Sequence, residues 1–338
     1  MDDTQRDAVP DTANVPPHQL ALVRTQLLAW FDRQRRDLPW RQTRDPYRIL
    51  VSEVMLQQTQ VDRVIPYFYR FFEQFPTVQA LAQAPTAEVI KVWAGLGYNR
   101  RAVNLQRAAQ AVVEHHAGQF PHHIEALLAL PGIGPYTAGA IACFAFEQDV
   151  AFIDTNMRRV LYRLFVGSTL PIPTAADKAL HRMAERLIPA GDGWRWNQAL
   201  MEFGALHCTA RKPACVICPL QAACAAYPTI QTRLAMVSRS RPDRTEVPFH
   251  ESNRFFRGRV IDALRNLPPD DELSGIDLVT LGSQVKTEFS SDDVPWLYNL
   301  VQRLADDGLA QVAEERPPYD AGASPDSPPG SVRVKLPK

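Results

Sequence analysis

Four cysteines, Cys208, Cys215, Cys218 and Cys224, fall within seventeen residues in the order C-x6-C-x2-C-x5-C. So tight a set in a cysteine-poor chain asks for a metal centre. Only one C-x2-C pair is present, where most zinc sites use two. Uneven spacing suits four thiolates reaching the corners of an iron–sulfur cube, so the expectation is a [4Fe–4S] cluster that stiffens a short loop. On spacing alone a structural zinc and unligated thiols remain the alternatives. The fifth cysteine, Cys143, stands mid-helix among small apolar residues and reads as core.

Two carboxylates carry a second chemistry. Glu53 interrupts the mostly apolar segment Ile49–Leu56. A carboxylate there must be solvated, paired or protonated, and desolvation raises its pKa toward what a general acid needs. A solvent-facing helix glutamate is the plain alternative. Asp154 follows the apolar run Val150–Ile153 and opens a helix through Thr155, Asn156 and Met157. Its plain role is an N-cap, and the helix terminus favours its ionised form.

A third feature is Leu130-Pro131-Gly132-Ile133-Gly134-Pro135-Tyr136-Thr137. Glycines at i and i+2 allow a tight turn with exposed backbone N–H groups, and the next helix begins at once. Free N–H groups and helix dipole then point the same way, which makes a seat for a phosphate with no base contact. The plain reading is a helix connector.

Helices must position these groups. Apolar residues recur at helical spacing from 18 to 227, as in Leu20, Val23, Leu27 and Phe31. Segments 49–59, 61–74, 87–93, 100–116, 124–129, 136–146, 155–165, 176–188 and 196–206 read the same way, separated by proline and glycine breakers such as Pro171 and Pro173. The region is all-α. Residues 1–17 read as a disordered acidic lead-in and 228–249 as an arginine-rich linker. Helices near 253–265 and 293–306, followed by two short strands in GLAQVAEE and SVRVKLP, suggest a winged-helix-like module over 250–338. Residues 316–330 within it are proline-, serine- and glycine-rich and read as a flexible loop.

Net charge is zero, so a nucleic-acid reading needs local basic surface. Candidate clusters are Arg41, Arg44 and Arg48; Arg100, Arg101 and Arg107; Arg158, Arg159 and Arg163; and Arg239, Arg241 and Arg244. Few cysteines, clustered, point to a reducing compartment rather than a disulfide scaffold. No apolar run is long enough for a membrane span, and the N-terminus lacks the pattern of a signal peptide.

L-P-G-I-G, Asp154 and the four-cysteine pattern together resemble the helix-hairpin-helix (endonuclease III-like) DNA glycosylase superfamily. Leu38-Pro39-Trp40-Arg41 and Ser52-Glu53-Val54-Met55-Leu56-Gln57-Gln58-Thr59-Gln60-Val61 resemble its A/G-mismatch adenine glycosylase (MutY) branch. The likeness covers about 20 to 227. It implies a cluster-bearing helical domain over 18–44 plus 150–227, a six-helix barrel domain over 45–149, and double-stranded DNA between them. It further implies a monofunctional, monomeric, cytoplasmic and nucleoid-associated enzyme of bacterial type that hydrolyses the N-glycosidic bond of adenine paired with 8-oxoguanine or guanine.

By the same resemblance Glu53 protonates the purine, Asp154 stabilises the sugar cation and Asn156 orients Asp154. Tyr136 stands where strand-cutting members carry lysine. Gln57 matches a wedge residue and Tyr98 a ring that inserts beside the partner base. Leu130, Gly132, Ile133 and Gly134 match the DNA-holding hairpin. Arg36, Leu38, Trp40, Arg41 and Gln198 resemble the lining of the adenine pocket, although Trp40 is also a natural core residue. Thr155 departs from the branch's usual glycine, and Asn99 from its second tyrosine. Many members carry a further mixed-sheet domain with a Phe-Ser-His loop; Phe249-His250-Glu251-Ser252 is only a faint echo of it. Competing readings are a thymine or uracil mismatch glycosylase and a non-enzymatic iron–sulfur DNA-binding protein.

Overall fold

Periodic apolar positions make helices, and prolines and capping side chains set where they begin. The computed structural model describes residues 15–169, 172, 174–239, 248–268, 274–314 and 332–338. In chain order the helices are α1 (Pro17–Gln34), α2 (Pro46–Leu56), α3 (Val61–Gln74), α4 (Val78–Gln83), α5 (Thr86–Val92), α6 (Arg100–His116), α7 (Ile124–Leu128) and α8 (Pro135–Phe146). They continue as α9 (Thr155–Phe165), α10 (Asp177–Leu187), α11 (Gly193–Leu206), α12 (Ile230–Arg239), α13 (Asn253–Arg265), α14 (Leu278–Val285) and α15 (Val294–Asp306). Three strands follow the same order: β1 (Ile276–Asp277) before α14, then β2 (Gln311–Glu314) and β3 (Val332–Lys335). Most of the expected lead-in, the second half of the expected linker with Arg241 and Arg244, the proline-rich stretch 316–330, and the breakers Pro171 and Pro173 lie outside the described residues.

Two compact units divide the chain. The first comprises Met1–Glu53, Pro121–Ala129 and Ile133–Asp243. There α1 and α9 both pack on α11. Leu27, Phe31, Trp196 and Phe203 are fully buried, and Trp30 meets Phe203 edge-on at 4.9 Å. Cys143 lies in this core, where its sulfur accepts from Asn197 Nδ2 at 3.4 Å. Burial pushes its thiol up to about 12, which leaves it an inert apolar residue. The sequence reads a linker from 228, but α12 is helical from Ile230, because that side chain is buried beside the cysteine loop.

The second unit comprises Val54–Phe120, Leu130–Gly132 and Arg244–Lys338. Phe68, Phe71, Phe72, Phe75 and Trp93 form an edge-to-face cluster that joins α3 to the end of α5. Among its described residues the C-terminal segment is winged-helix-like: helices α13, α14 and α15 and an antiparallel sheet in the order β1-β3-β2, with Ile276 opposite Val334 and Gln311 opposite Lys335. Its apolar residues do not close on themselves. Val260, Ile261, Leu264, Leu297 and Val334 share one core with Ile90 of α5 and Val103 of α6. Each such fully buried aliphatic contributes ~1.5–3 kcal/mol. Three elements here lack a sequence expectation, the two-residue strand β1 and the short helices α4 and α14. Each helix is started by a local cap, Thr77 accepting from Ala80 N and Asp277 from Val279 N and Thr280 N.

Candidate active site and iron–sulfur loop

Glu53 sits on the buried face of α2, with 4% of its surface exposed. Tyr136, in the first turn of α8, donates its hydroxyl to Glu53 Oε2 at 2.8 Å. Burial is the largest influence and pushes the Glu53 carboxyl up to about 7. The Tyr136 hydrogen bond and the positive charge of Arg41 pull it down, and the negative charge of Asp154 pushes it up. Burial and these same two carboxylates hold the Tyr136 phenol well above its ordinary range, so it stays a donor. Phe152 meets the Tyr136 ring edge-on at 5.5 Å.

Asp154 is the N-cap of α9: its Oδ1 accepts from Met157 N at 2.6 Å. Its Oδ2 accepts from Asn156 Nδ2 at 3.0 Å. Burial pushes this carboxyl up, and the hydrogen bonds from Met157 and Asn156 offset part of the rise. The helix terminus alone therefore does not set its charge, contrary to the simple capping expectation. Asn156 Oδ1 in turn accepts from Arg159 Nη2 at 2.8 Å, and Arg159 Nε donates to the Cys208 carbonyl at 2.8 Å. One turn further along, Arg163 donates to Cys208 Sγ at 3.5 Å, Thr209 O at 2.7 Å and Ala210 O at 3.0 Å. Helix α9 thus carries the aspartate at its start and grips the cysteine loop with its next two turns.

Cys208, Cys215, Cys218 and Cys224 line one cavity with Arg163 and His207. Among the described residues no three such side chains converge as closely as a single ion requires. Zinc at ~2.3 Å from each sulfur would draw four thiolates to about 4 Å of one another. The four cysteines share one cavity, as the ligands of one cluster must. Burial pushes the thiols of Cys215, Cys218 and Cys224 up, Cys218 to about 12, so a cationic centre is needed to hold them as thiolates. Arg163 Nε and His207 Nε2 are buried there without a protein partner, and cluster sulfurs are acceptors they would meet. The residues present fit the group: the four cysteines would ligate it, and Arg163 would support it.

Of the residues expected to line a base pocket, Arg36, Arg41 and Gln198 join a part-buried network around Glu202. Arg36 and Arg41 both bond Glu202, at 2.8 and 2.9 Å, and Arg41 Nε donates to Gln198 Oε1 at 2.7 Å. Burial raises the Glu202 carboxyl, but the two guanidiniums outweigh it and hold it at about 2. Arg36 and Arg41 also line a cavity with Arg35, Asp37, Gln42 and Trp194. Leu38 and Trp40 are buried, 4% and 7% exposed, and do not line it. Glu202 is absent from the sequence reading, although an acid between Leu200 and Phe203 on a helix is the same signal that marks Glu53.

Helix α2 ends at Leu56, short of the expected 59, so Gln57 stands in a turn. Arg101 holds that turn. Its guanidinium donates to the carbonyls of Val54 (2.8 Å), Met55 (3.1 Å) and Gln57, and to those of Leu96 and Gly97 at 3.2 Å. Gln57 and Tyr98 are thereby fixed by one cation. Gln58 and Tyr98 are both left-handed, at φ 55° and 46°, a conformation that strains residues with side chains. Tyr98 is 42% exposed despite its size. Arg101 is therefore spent internally, as are Arg159 and Arg163. Arg44 pairs with Glu147 and Arg158 with Asp177, so the three arginine clusters within residues 41–163 do not form free basic patches as wholes.

In the glycine turn the side chains of Leu130 and Ile133 are buried, which leaves only backbone for a phosphate. Gly132 has φ +75°, and a Cβ there would lie 2.8 Å from Asn104 Cβ. Gly134 differs: its backbone is extended, it caps α8, and a Cβ would meet nothing within 4 Å. Only the first glycine is a conformational requirement.

Residues 51–187 match the HhH-GPD superfamily of base excision DNA repair proteins, and 208–224 match the iron-sulfur binding domain of endonuclease III. An adenine DNA glycosylase of Mycolicibacterium smegmatis is 36% identical over 87% of this chain and 98% of its own length. A mouse adenine DNA glycosylase is 41% identical over 69% of this chain, which spans only 48% of that protein. A solved thermostable thymine-DNA glycosylase is similar in fold, with a TM-score of 0.59, 35% identity, and coverage of 63% of this chain and 98% of that one. The chain belongs to the adenine DNA glycosylase family of the HhH-GPD superfamily and carries that fold's four-cysteine iron–sulfur motif.

Proposed function

We propose that this chain is a monofunctional DNA repair glycosylase that hydrolyses the N-glycosidic bond of adenine mispaired with 8-oxoguanine or guanine, leaving an abasic site. The observation that carries the reading is the Glu53 carboxyl, buried, bonded by Tyr136 and raised to about 7 within the electrostatic reach of Asp154. Such a group is protonated at neutral pH in a useful fraction and is poised to give its proton to a ring nitrogen of a flipped purine. The C1′–N bond then breaks with its electron pair leaving on the neutral base. Asp154, fixed by Met157 and Asn156, stabilises the oxocarbenium-like sugar until water adds at C1′ and gives its proton back to the Glu53 carboxylate. Tyr136 has no amine, so no Schiff base can form at its position.

The hairpin's backbone N–H groups bind a phosphate, Gln57 and Tyr98 fill the gap left by the base, and Arg36, Arg41 and Gln198 shape the base pocket. Bound by Cys208, Cys215, Cys218 and Cys224, an iron–sulfur cluster would stiffen the loop gripped by α9, and the chain acts as a monomer on DNA. Among the described residues no helix is long and apolar enough to cross a membrane. Duplexes bearing adenine, thymine or uracil opposite guanine or 8-oxoguanine, incubated with the protein and then treated with alkali, test the reading. Cleavage only at adenine supports it; cleavage at thymine or uracil transfers the chain to the mismatch-pyrimidine reading. Absence of cleavage with retained duplex binding favours a non-enzymatic role.

A further inference from the structure

Tyr98 does not stand alone. Arg254, the second residue of α13, places its guanidinium carbon 4.6 Å from the Tyr98 ring centroid and donates to the Tyr98 hydroxyl. Both side chains are exposed, and among the described residues no carboxylate pairs with Arg254. Its neighbours are committed elsewhere: Arg257 pairs with Asp307, and Arg259 donates to Gln284 O at 2.8 Å. The far end of the same helix is tied to the same loop. Arg265 donates to Asn99 Oδ1 at 2.8 Å and to Ile90 O at 3.1 Å. So α13 is held along the strained Gly95–Asn99 loop, with the Arg254 cation delivered onto its exposed ring.

We propose that Arg254 is a specificity-determining residue. When Tyr98 enters the base stack, the guanidinium lying on it donates to O6 of the guanine or 8-oxoguanine left without its partner. This rests on the proposed release of adenine. Arginine suits the task because its planar fork can stack on a ring while its N–H groups reach the acceptor edge of a guanine-type base. The winged-helix-like module would then contribute to reading the opposing base through α13 rather than through its sheet.

The test uses the full chain under single-turnover conditions. Adenine is placed opposite guanine, 8-oxoguanine or a tetrahydrofuran abasic analogue. For Arg254→Ala the expected result is a loss of about tenfold to a hundredfold in release opposite the two guanine-type bases, the range of a lost arginine–guanine contact. Release opposite the abasic analogue stays at the wild-type rate, which also shows that the variant is folded. Arg254→Lys keeps the charge without the fork and is expected to fall between. An equal loss on all three duplexes means that Arg254 only props Tyr98, and unchanged rates on all three mean that it reads nothing; either overturns the proposal. Wild-type protein that releases adenine from none of them sinks the glycosylase reading itself, a failure visible before any variant is made.

Discussion

Glu53 carries the account at the scale of single residues. Its carboxyl is raised from 4.5 to about 7, so the ionised form is the one the fold disfavours. The contribution to stability is whole below pH 4.5 and is lost as pH rises through about 7; the loss is on the order of 3 kcal/mol at alkaline pH. Glu53→Gln keeps an acceptor for Tyr136 and never ionises. It is expected to lower base release by at least the ~10²–10⁴-fold typical of a general acid, and to be more stable than the wild type to urea above pH 7 but equal to it near pH 4.5. Asp154→Asn separates chemistry from capping, because asparagine caps as well as aspartate. It should lose base release with an unchanged unfolding midpoint, whereas Asp154→Ala should also cost about 1 kcal/mol. Both carboxylates are legible in the sequence as an acid inside an apolar helix and an acid before one. Glu202 is equally so in type, yet its partners Arg36 and Arg41 lie 166 and 161 residues away. No local pattern announces that pairing.

Among the elements, α9 and the glycine turn decide most. Arg163 is 3% exposed and anchors three successive residues of the cysteine loop. Arg163→Leu is expected to purify with less iron per chain and a weaker absorbance near 400 nm, measured beside a wild-type preparation. The two glycines should part company. Gly132→Ala meets both a left-handed backbone and Asn104, so it should cost more than ~1 kcal/mol and lower the unfolding midpoint. Gly134→Ala has room and an ordinary backbone, so its unfolding midpoint should hold while affinity for duplex DNA falls. The sequence shows both glycines alike; the left-handed backbone at Gly132 and its neighbour Asn104, from helix α6, separate them. Periodicity likewise finds the long helices but not α4 or α14, which are too short to display it and depend on their caps.

For the whole molecule, the C-terminal module is not a free appendage. Ala87 N donates to Pro337 O at 3.0 Å, and Ile90 and Val103 are buried in the module's own core. Truncation after Arg239 would strip that cover from α5 and α6. The shortened chain is expected to unfold at lower urea and to expose apolar surface to a hydrophobic dye; a truncated chain as stable as the full one would contradict the shared core. The winged-helix-like order of elements is readable from two helices and two strand-like tails. That its apolar face closes on α5 and α6 is not, because a hydrophobic stripe does not say which stripe it will meet.

The central claim is that a buried, protonated Glu53 drives base release. The most direct measurement is the single-turnover rate of adenine release from a duplex with adenine opposite 8-oxoguanine, followed across the neutral range. The wild-type rate is expected to fall as pH rises through about 7, with almost no release from Glu53→Gln at any pH. A wild-type rate that stays level or rises through that range, or a Glu53→Gln enzyme that still turns over, would contradict the claim.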